Sequence, residues 1–269
     1  MLGPDLNRLR RSVSTKHFSK QTAIKIALAT LERLRALHDV GWISRDIKAP
    51  NFTIGRKDNS TIYMLDFGLA ERINRTDPRQ EAMEEHFVGT FQYASLAAHG
   101  RFRQGPKDDC ESWFYMCLEC HLGCSPPFGA AFNAHLGTLP WHDTTDEDEQ
   151  YKRKLRLRLH GSDEQTAVFE KCPHQFRTLL AVIDDVHPAE MPPYNRLRDL
   201  LIEAANEDED VDLEGRFDWQ QNYADWLIRA REVGHVGESV GVTDRVRLAD
   251  PPSNPATLHS SSTSDSNIW

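Results

Sequence analysis

Residues 44–51 read Ser44-Arg45-Asp46-Ile47-Lys48-Ala49-Pro50-Asn51, and a second cluster, Asp66-Phe67-Gly68, follows beyond a turn-rich stretch. A carboxylate, an amine two residues later, an amide oxygen shortly after and a further carboxylate are the groups that phosphoryl transfer needs. In that chemistry Asp46 orients an attacking hydroxyl and Lys48 neutralises charge building on the phosphate. Asn51 and Asp66 offer the hard oxygen ligands that Mg2+ prefers. The plainer reading makes Asp46 and Asp66 turn formers and Lys48 a surface residue. Asp66-Phe67-Gly68 alone recurs by chance. The ordered pattern R-D-x-K-x-x-N, hairpin, D-F-G is specific and favours the chemistry.

The flanking sequence supplies elements to hold these groups. Residues 20–38 carry Ile24, Leu28, Leu31, Leu34 and Leu37 at helical spacing, with Ser19 as a candidate N-cap and Ile26 and Ala27 widening the apolar stripe. Two strand-like runs, 51–55 and 61–67, flank the turn-rich Arg56-Lys57-Asp58-Asn59-Ser60 and predict a hairpin that brings Asn51 and Asp66 to one end. From about residue 107 the chain reads as helices, at 107–123, 147–160, 164–184, 194–206 and 219–232. The tail from about 238 is rich in Ser, Asp, Thr and Pro without an apolar period, and is expected to be disordered.

Forty-one acidic against 32 basic side chains leave a formal net charge of −9, which disfavours nucleic acid and anionic lipid as partners. No apolar run approaches the roughly 18 residues that span a bilayer. With no signal-peptide pattern at Met1–Ser12, the chain is expected inside the cell, in cytoplasm or nucleus. Five cysteines, an odd number, argue for free thiols rather than a disulfide framework. Cys117-Leu118-Glu119-Cys120-His121 spells a haem-attachment motif, and Cys124 adds a zinc alternative. The apolar helical pattern around them favours buried thiols acting as small hydrophobes. The run Lys152, Arg153, Lys154, Arg156, Arg158 reads either as a solvated helix face or as a docking stripe for acidic or phosphorylated substrate.

With these motifs in view, the chain resembles the casein kinase 1 superfamily, and within it the tau-tubulin kinase branch. The matching stretches are RDIKAPNFTIG, YMLDFGLAERI, GTFQYASLAAH, KDDCESWFYM, LPW and RFDWQ, in order over residues 2 to about 230. The resemblance implies a protein kinase-like fold (α+β), a mainly helical large lobe with a small β-hairpin at 1–235, followed by the tail at 236–269. It implies transfer of phosphate from ATP, with Mg2+, to Ser or Thr of protein substrates. Carried over by position, Asp46 and Lys48 are catalytic, and Asn51 and Asp66 bind the metal-nucleotide cofactor. Arg45, Phe67, Gly68, Thr90 and Asp109 give structural support, with Thr90 beside Asp46 and Lys48 and Asp109 bracing the catalytic loop.

The sequence also departs from the family pattern. Leu2-Gly3-Pro4-Asp5-Leu6 resembles the family's segment just after the hinge between lobes. The resemblance therefore implies that the β-rich N-terminal lobe, with its glycine-rich loop and strand lysine, is absent from these 269 residues. Its absence would expose an apolar face. Ser44 stands where the family usually has histidine, Gln92 where it often has a basic residue, and 124–136 looks like an insertion. Two readings follow: an active Ser/Thr kinase recorded without its small lobe, or a kinase-like binding module without catalysis.

Overall fold

A computed structural model of the chain describes residues 2–13, 17–73, 86–122, 139–220 and 223. The insertion at 124–136, Cys124, most of the helix expected at 219–232 and the tail at 236–269 lie outside the described residues.

Two elements open the chain, strand β1 (Leu2–Asp5) and helix α1 (Leu6–Ser12), then the long helix α2 (Lys20–Asp39). Ser19 caps α2 as its composition suggests, its hydroxyl accepting from the Thr22 N–H at 3.1 Å. Strand β2 (Trp42–Ile43) and a 3-10 turn (Ala49–Asn51) bracket the catalytic-loop sequence. The expected hairpin forms from β3 (Phe52–Gly55) and β4 (Ile62–Met64), antiparallel, with Phe52 opposite Met64 and Ile54 opposite Ile62. β1 adds to its other edge, giving the order β1-β3-β4, while β2 pairs with β5 (Glu71–Arg72) in a two-stranded sheet. Those are the only sheets among the described residues, and the other regular elements are helical.

The helices are α3 (Leu96–His99), α4 (Pro106–Leu122), α5 (Glu147–Arg156), α6 (Asp163–Phe169), α7 (Gln175–Asp184) and α8 (Tyr194–Asn206). The single helix expected over 164–184 is two. Pro173 cannot donate a backbone hydrogen bond, so the chain breaks there and restarts as α7.

α4 is the axis of the domain. Every residue of it except Lys107 is buried, which is why its sequence shows little one-sidedness. It packs on α2 and α7, and the Trp113 indole donates to Thr30 Oγ1 at 3.0 Å across the α2 contact. Its buried carboxylates are all partnered, as burial of charge requires. Glu111 Oε1 accepts from the Leu96 N–H at 3.0 Å, the Tyr115 hydroxyl at 2.7 Å and Arg158 at 3.1 Å. Glu119 takes Arg10 at 3.2 Å and the Tyr93 hydroxyl. Cys117 and Cys120 face this core, and burial pushes the Cys120 thiol up to about 12.

The Phe217-Asp218-Trp219 segment closes the domain onto its start. Asp218 accepts from Ser19 N–H and Oγ at 2.6 and 2.7 Å, and the Trp219 indole donates to the Asn59 carbonyl at 2.8 Å. Thus the far end of the chain ties down both the α2 N-terminus and the hairpin turn.

Candidate active site

The loop between β2 and β3 hangs from one buried carboxylate. Asp109, near the start of α4, accepts from the Ser44 N–H at 2.6 Å, the Arg45 N–H at 2.8 Å and His38 Nε2 at 2.9 Å. His38 Nδ1 in turn meets the Tyr194 hydroxyl. Burial pushes the Tyr194 phenol far up, so it keeps its proton. Arg45 sits at φ +63°, a conformation that costs a non-glycine residue about 1–3 kcal/mol, and the Asp109 bonds hold it there. Its guanidinium donates to the Leu69 carbonyl at 2.8 Å and pairs with Glu71 at 2.7 Å, and Glu71 also pairs with Arg103.

This twist turns Asp46 into a tight polar cluster. Its Oδ2 lies 2.7 Å from Lys48 Nζ, and its Oδ1 accepts from the Thr90 hydroxyl at 2.6 Å. Lys48 Nζ also donates to Thr90 Oγ1 at 3.1 Å, closing a triangle of carboxylate, ammonium and hydroxyl. Asn51 Nδ2 donates to the Asp46 carbonyl at 2.8 Å and to its carboxylate at 3.2 Å. With its amide nitrogen committed there, Asn51 turns its oxygen away from Asp46.

The hairpin register brings Asp66 to the same end. The Leu65 N–H donates to the Asn51 carbonyl at 2.7 Å, so Asp66 follows directly on Asn51's partner. Asp66 has φ +60°, and its Oδ1 accepts from the Gly68 N–H at 3.2 Å. The donor set, one amide oxygen and one exposed carboxylate, suits Mg2+, which keeps several waters.

The structure therefore brings together Asp46, Lys48, Asn51 and Thr90, and puts Asp66 and Gly68 at the adjoining end of the hairpin. Arg45 and Asp109 lie beneath them. Phe67, expected as structural support, leaves 52% of its surface exposed, and its carbonyl accepts from the Ala70 N–H at 3.1 Å. Leu69 beside it is exposed too.

The basic run needs a correction. Lys154, expected on a docking face, is 0% exposed, because the α5 face that carries it packs against the turn at 91–94. Arg153 and Arg156 are partly engaged at the α5 surface, with Glu149 for both, Asp143 for Arg153 and Glu164 for Arg156. Of the four, Lys152 alone is exposed by residue.

Two contributors were missed. His38 carried no signal beyond its place in the last turn of a helix. Gly89 did carry one, since it opens the Gly89-Thr90 pair. Its φ is +120°, and a Cβ there would stand 2.7 Å from the Arg45 carbonyl oxygen. Only glycine lets Thr90's segment lie this close to the catalytic loop.

A fold of this kind, with carboxylate, lysine and asparagine on one loop and Asp-Phe-Gly beyond a hairpin, defines a protein kinase. Residues 1–188 match the family described as protein kinase domain, and the chain belongs to that family. It is 38% identical over 247 residues to serine/threonine-protein kinase spe-6 of Caenorhabditis elegans, covering 89% of this chain and 60% of that protein. A probable serine/threonine-protein kinase of Dictyostelium discoideum is 30% identical over 206 residues, 75% of this chain and 37% of that protein. A putative serine/threonine-protein kinase of C. elegans is 34% identical over 122 residues, 44% of this chain and 37% of that protein. The chain thus spans well under two thirds of the length of each.

Proposed function

We propose that the protein transfers the γ-phosphoryl group of ATP to Ser or Thr hydroxyls of protein substrates, as a kinase of casein kinase 1 type near the tau-tubulin kinase branch. The observation that carries this reading is the triangle of Asp46, Lys48 and Thr90. Asp46 receives the proton of the substrate hydroxyl as its oxygen bonds to the γ-phosphorus and the bond to the β-γ bridging oxygen breaks. Lys48 places positive charge beside the equatorial phosphoryl oxygens as negative charge shifts during transfer. Asn51 and Asp66 would hold Mg2+, which when bound neutralises the phosphates and keeps them in line. Thr90 keeps the Asp46 carboxylate turned toward the incoming hydroxyl.

The relatives named as serine/threonine kinases support the choice of acceptor. The test is phosphoamino-acid analysis after the full-length protein meets ATP, Mg2+ and a peptide mixture containing Ser, Thr and Tyr. Phosphoserine and phosphothreonine are expected. Absence of any transfer would support the inert binding module instead, and phosphotyrosine alone would overturn the acceptor class.

A further inference from the structure

Lys154 is a buried cation that the chemistry above does not use. Its Nζ lies 2.7 Å from the Phe91 carbonyl oxygen, 2.8 Å from that of Ala94 and 2.9 Å from His99 Nε2. Two N–H groups thus meet the two carbonyls while the third faces the His99 ring nitrogen, and the amine sits 5.0 and 5.4 Å from the ring centres of Tyr115 and Trp141. The Gln92 carbonyl is held separately by the Trp141 indole at 2.8 Å. On the opposite side of the same turn, the Tyr93 and Ala94 N–H groups both donate to the Thr90 carbonyl at 2.9 Å. The turn is therefore pinned from the core at residues 91, 92 and 94, and the residue just before it, Thr90, is the one that touches Asp46.

We infer that Lys154 is a positioning residue for the Asp46 cluster: from inside the core it fixes the 91–94 turn, and through that turn it sets the Thr90 hydroxyl between Asp46 and Lys48. The role in turnover rests on the kinase reading, whereas the clamp itself does not. An apolar side chain of the same length would fill the space but leave two carbonyls without donors.

The charged and titratable groups around the amine come from each packed element. His99 lies on α3, Glu111 and Tyr115 on α4, Glu147 on α5, and Arg158 just past α5. Burial and Lys154 itself hold His99 neutral, down to about 3, against a hydrogen bond to the Phe91 backbone that pulls it up. Burial brings Lys154 down to about 7, with Glu111 pulling up and Arg158 pushing down. Loss of a proton leaves two N–H groups for the two carbonyls and a lone pair facing the His99 ring. The charge-assisted bonds become neutral ones of roughly half the strength.

The experiment is NMR on the chain. The Lys154 side-chain carbon shift is followed against pH, with the amide shifts and hydrogen exchange of Tyr93 and Ala94. Both amides are expected to titrate with the Lys154 midpoint. In Lys154→Met they are expected to exchange about tenfold faster or more while α4 amides keep their protection. In the active full-length enzyme, Lys154→Met should raise KM for peptide with KM for ATP unchanged, a split that a mere loss of folded enzyme would not give. If Lys154→Met does not fold, the wild-type titration decides alone. Amides blind to the Lys154 titration, or an unchanged peptide KM in an active variant with loosened amides, would overturn the inference. A titrating turn in a protein without phosphotransfer would count against the kinase reading and leave the clamp in place.

Discussion

Replacing Asp109 by Asn keeps the size of the side chain from which the catalytic loop hangs and removes its charge and part of its accepting capacity. The carboxylate accepts three bonds, from Ser44 N–H, Arg45 N–H and His38 Nε2, at 2.6, 2.8 and 2.9 Å. An amide has one oxygen and one NH2, so in either orientation a donor faces a donor. At least one charge-assisted bond, worth about 1.5–3 kcal/mol, is lost, and a buried N–H is left unmet at about 1–3 kcal/mol. The remaining bonds lose their charge assistance. Some relaxation offsets the sum, and a net cost of about 3–5 kcal/mol matches that of removing one member of a buried ion pair. For a domain of this size each kcal/mol moves the Tm by about 2–4 °C, so a fall of roughly 6–20 °C is expected in calorimetry. Hydrogen exchange should localise the damage to the Ser44 and Arg45 amides, because Arg45's positive φ relaxes once its restraint weakens. A Tm change below about 2 °C, or unaltered exchange at those two amides, would refute the reasoning.

Asp66→Ala should abolish Mg2+-dependent nucleotide binding in calorimetric titration, and undiminished binding would sink the metal assignment. Gly89→Ala puts a methyl 2.7 Å from the Arg45 carbonyl at φ +120°, so it should cost about 1–3 kcal/mol in denaturant unfolding and separate Thr90 from Asp46. Acid should destabilise the fold through two buried neutral histidines. Burial holds His121 down to about 4 and His99 down to about 3, against an ordinary value of 6.5. Between those values and 6.5 the unfolded chain binds protons that the folded one refuses, so stability rises with pH and falls as pH drops below about 6.5. His121→Gln should flatten part of that slope in Tm measured between pH 5 and 7. Lys154 acts in a higher window with the same sign. The folded amine releases its proton near 7 and the unfolded one near 10.5, so stability should also rise over that interval, and Lys154→Met should lose that rise.

The elements nearest the chemistry were legible because their sequence periods are strong. The α2 stripe, the Ser19 cap and the β3–β4 hairpin each follow from local patterning, and all were expected where they occur. α4 was legible as a helix, and the resemblance gave Asp109 its bracing role, but that Glu111 and Glu119 also carry charge into the core was not legible, since a helix buried all round shows no polar face. β1 and α1 were not expected as elements, because Leu2-Gly3-Pro4-Asp5-Leu6 was matched only as a family segment, and the strand exists only by pairing with β3. The same blindness to tertiary pairing hid the contact of His38 with Asp109, residues far apart in the chain. Lys154 misled for a physical reason. A lysine among Lys152, Arg153 and Arg156 looks solvated, and its burial depends on two carbonyls of a turn some 60 residues earlier.

The most direct test of the central claim compares phosphate transfer by the full-length protein and its Asp46→Asn variant, with radiolabelled ATP, Mg2+ and a Ser/Thr protein substrate. The substitution is nearly isosteric and removes the proton acceptor while leaving the Lys48 and Asn51 side chains in place. Wild-type transfer is expected to fall by about 10²–10⁴ in the variant, with melting temperature little changed. Equal transfer by the two proteins, or none by a wild type that binds ATP and Mg2+, would contradict the assignment of Asp46 as the base of a working kinase.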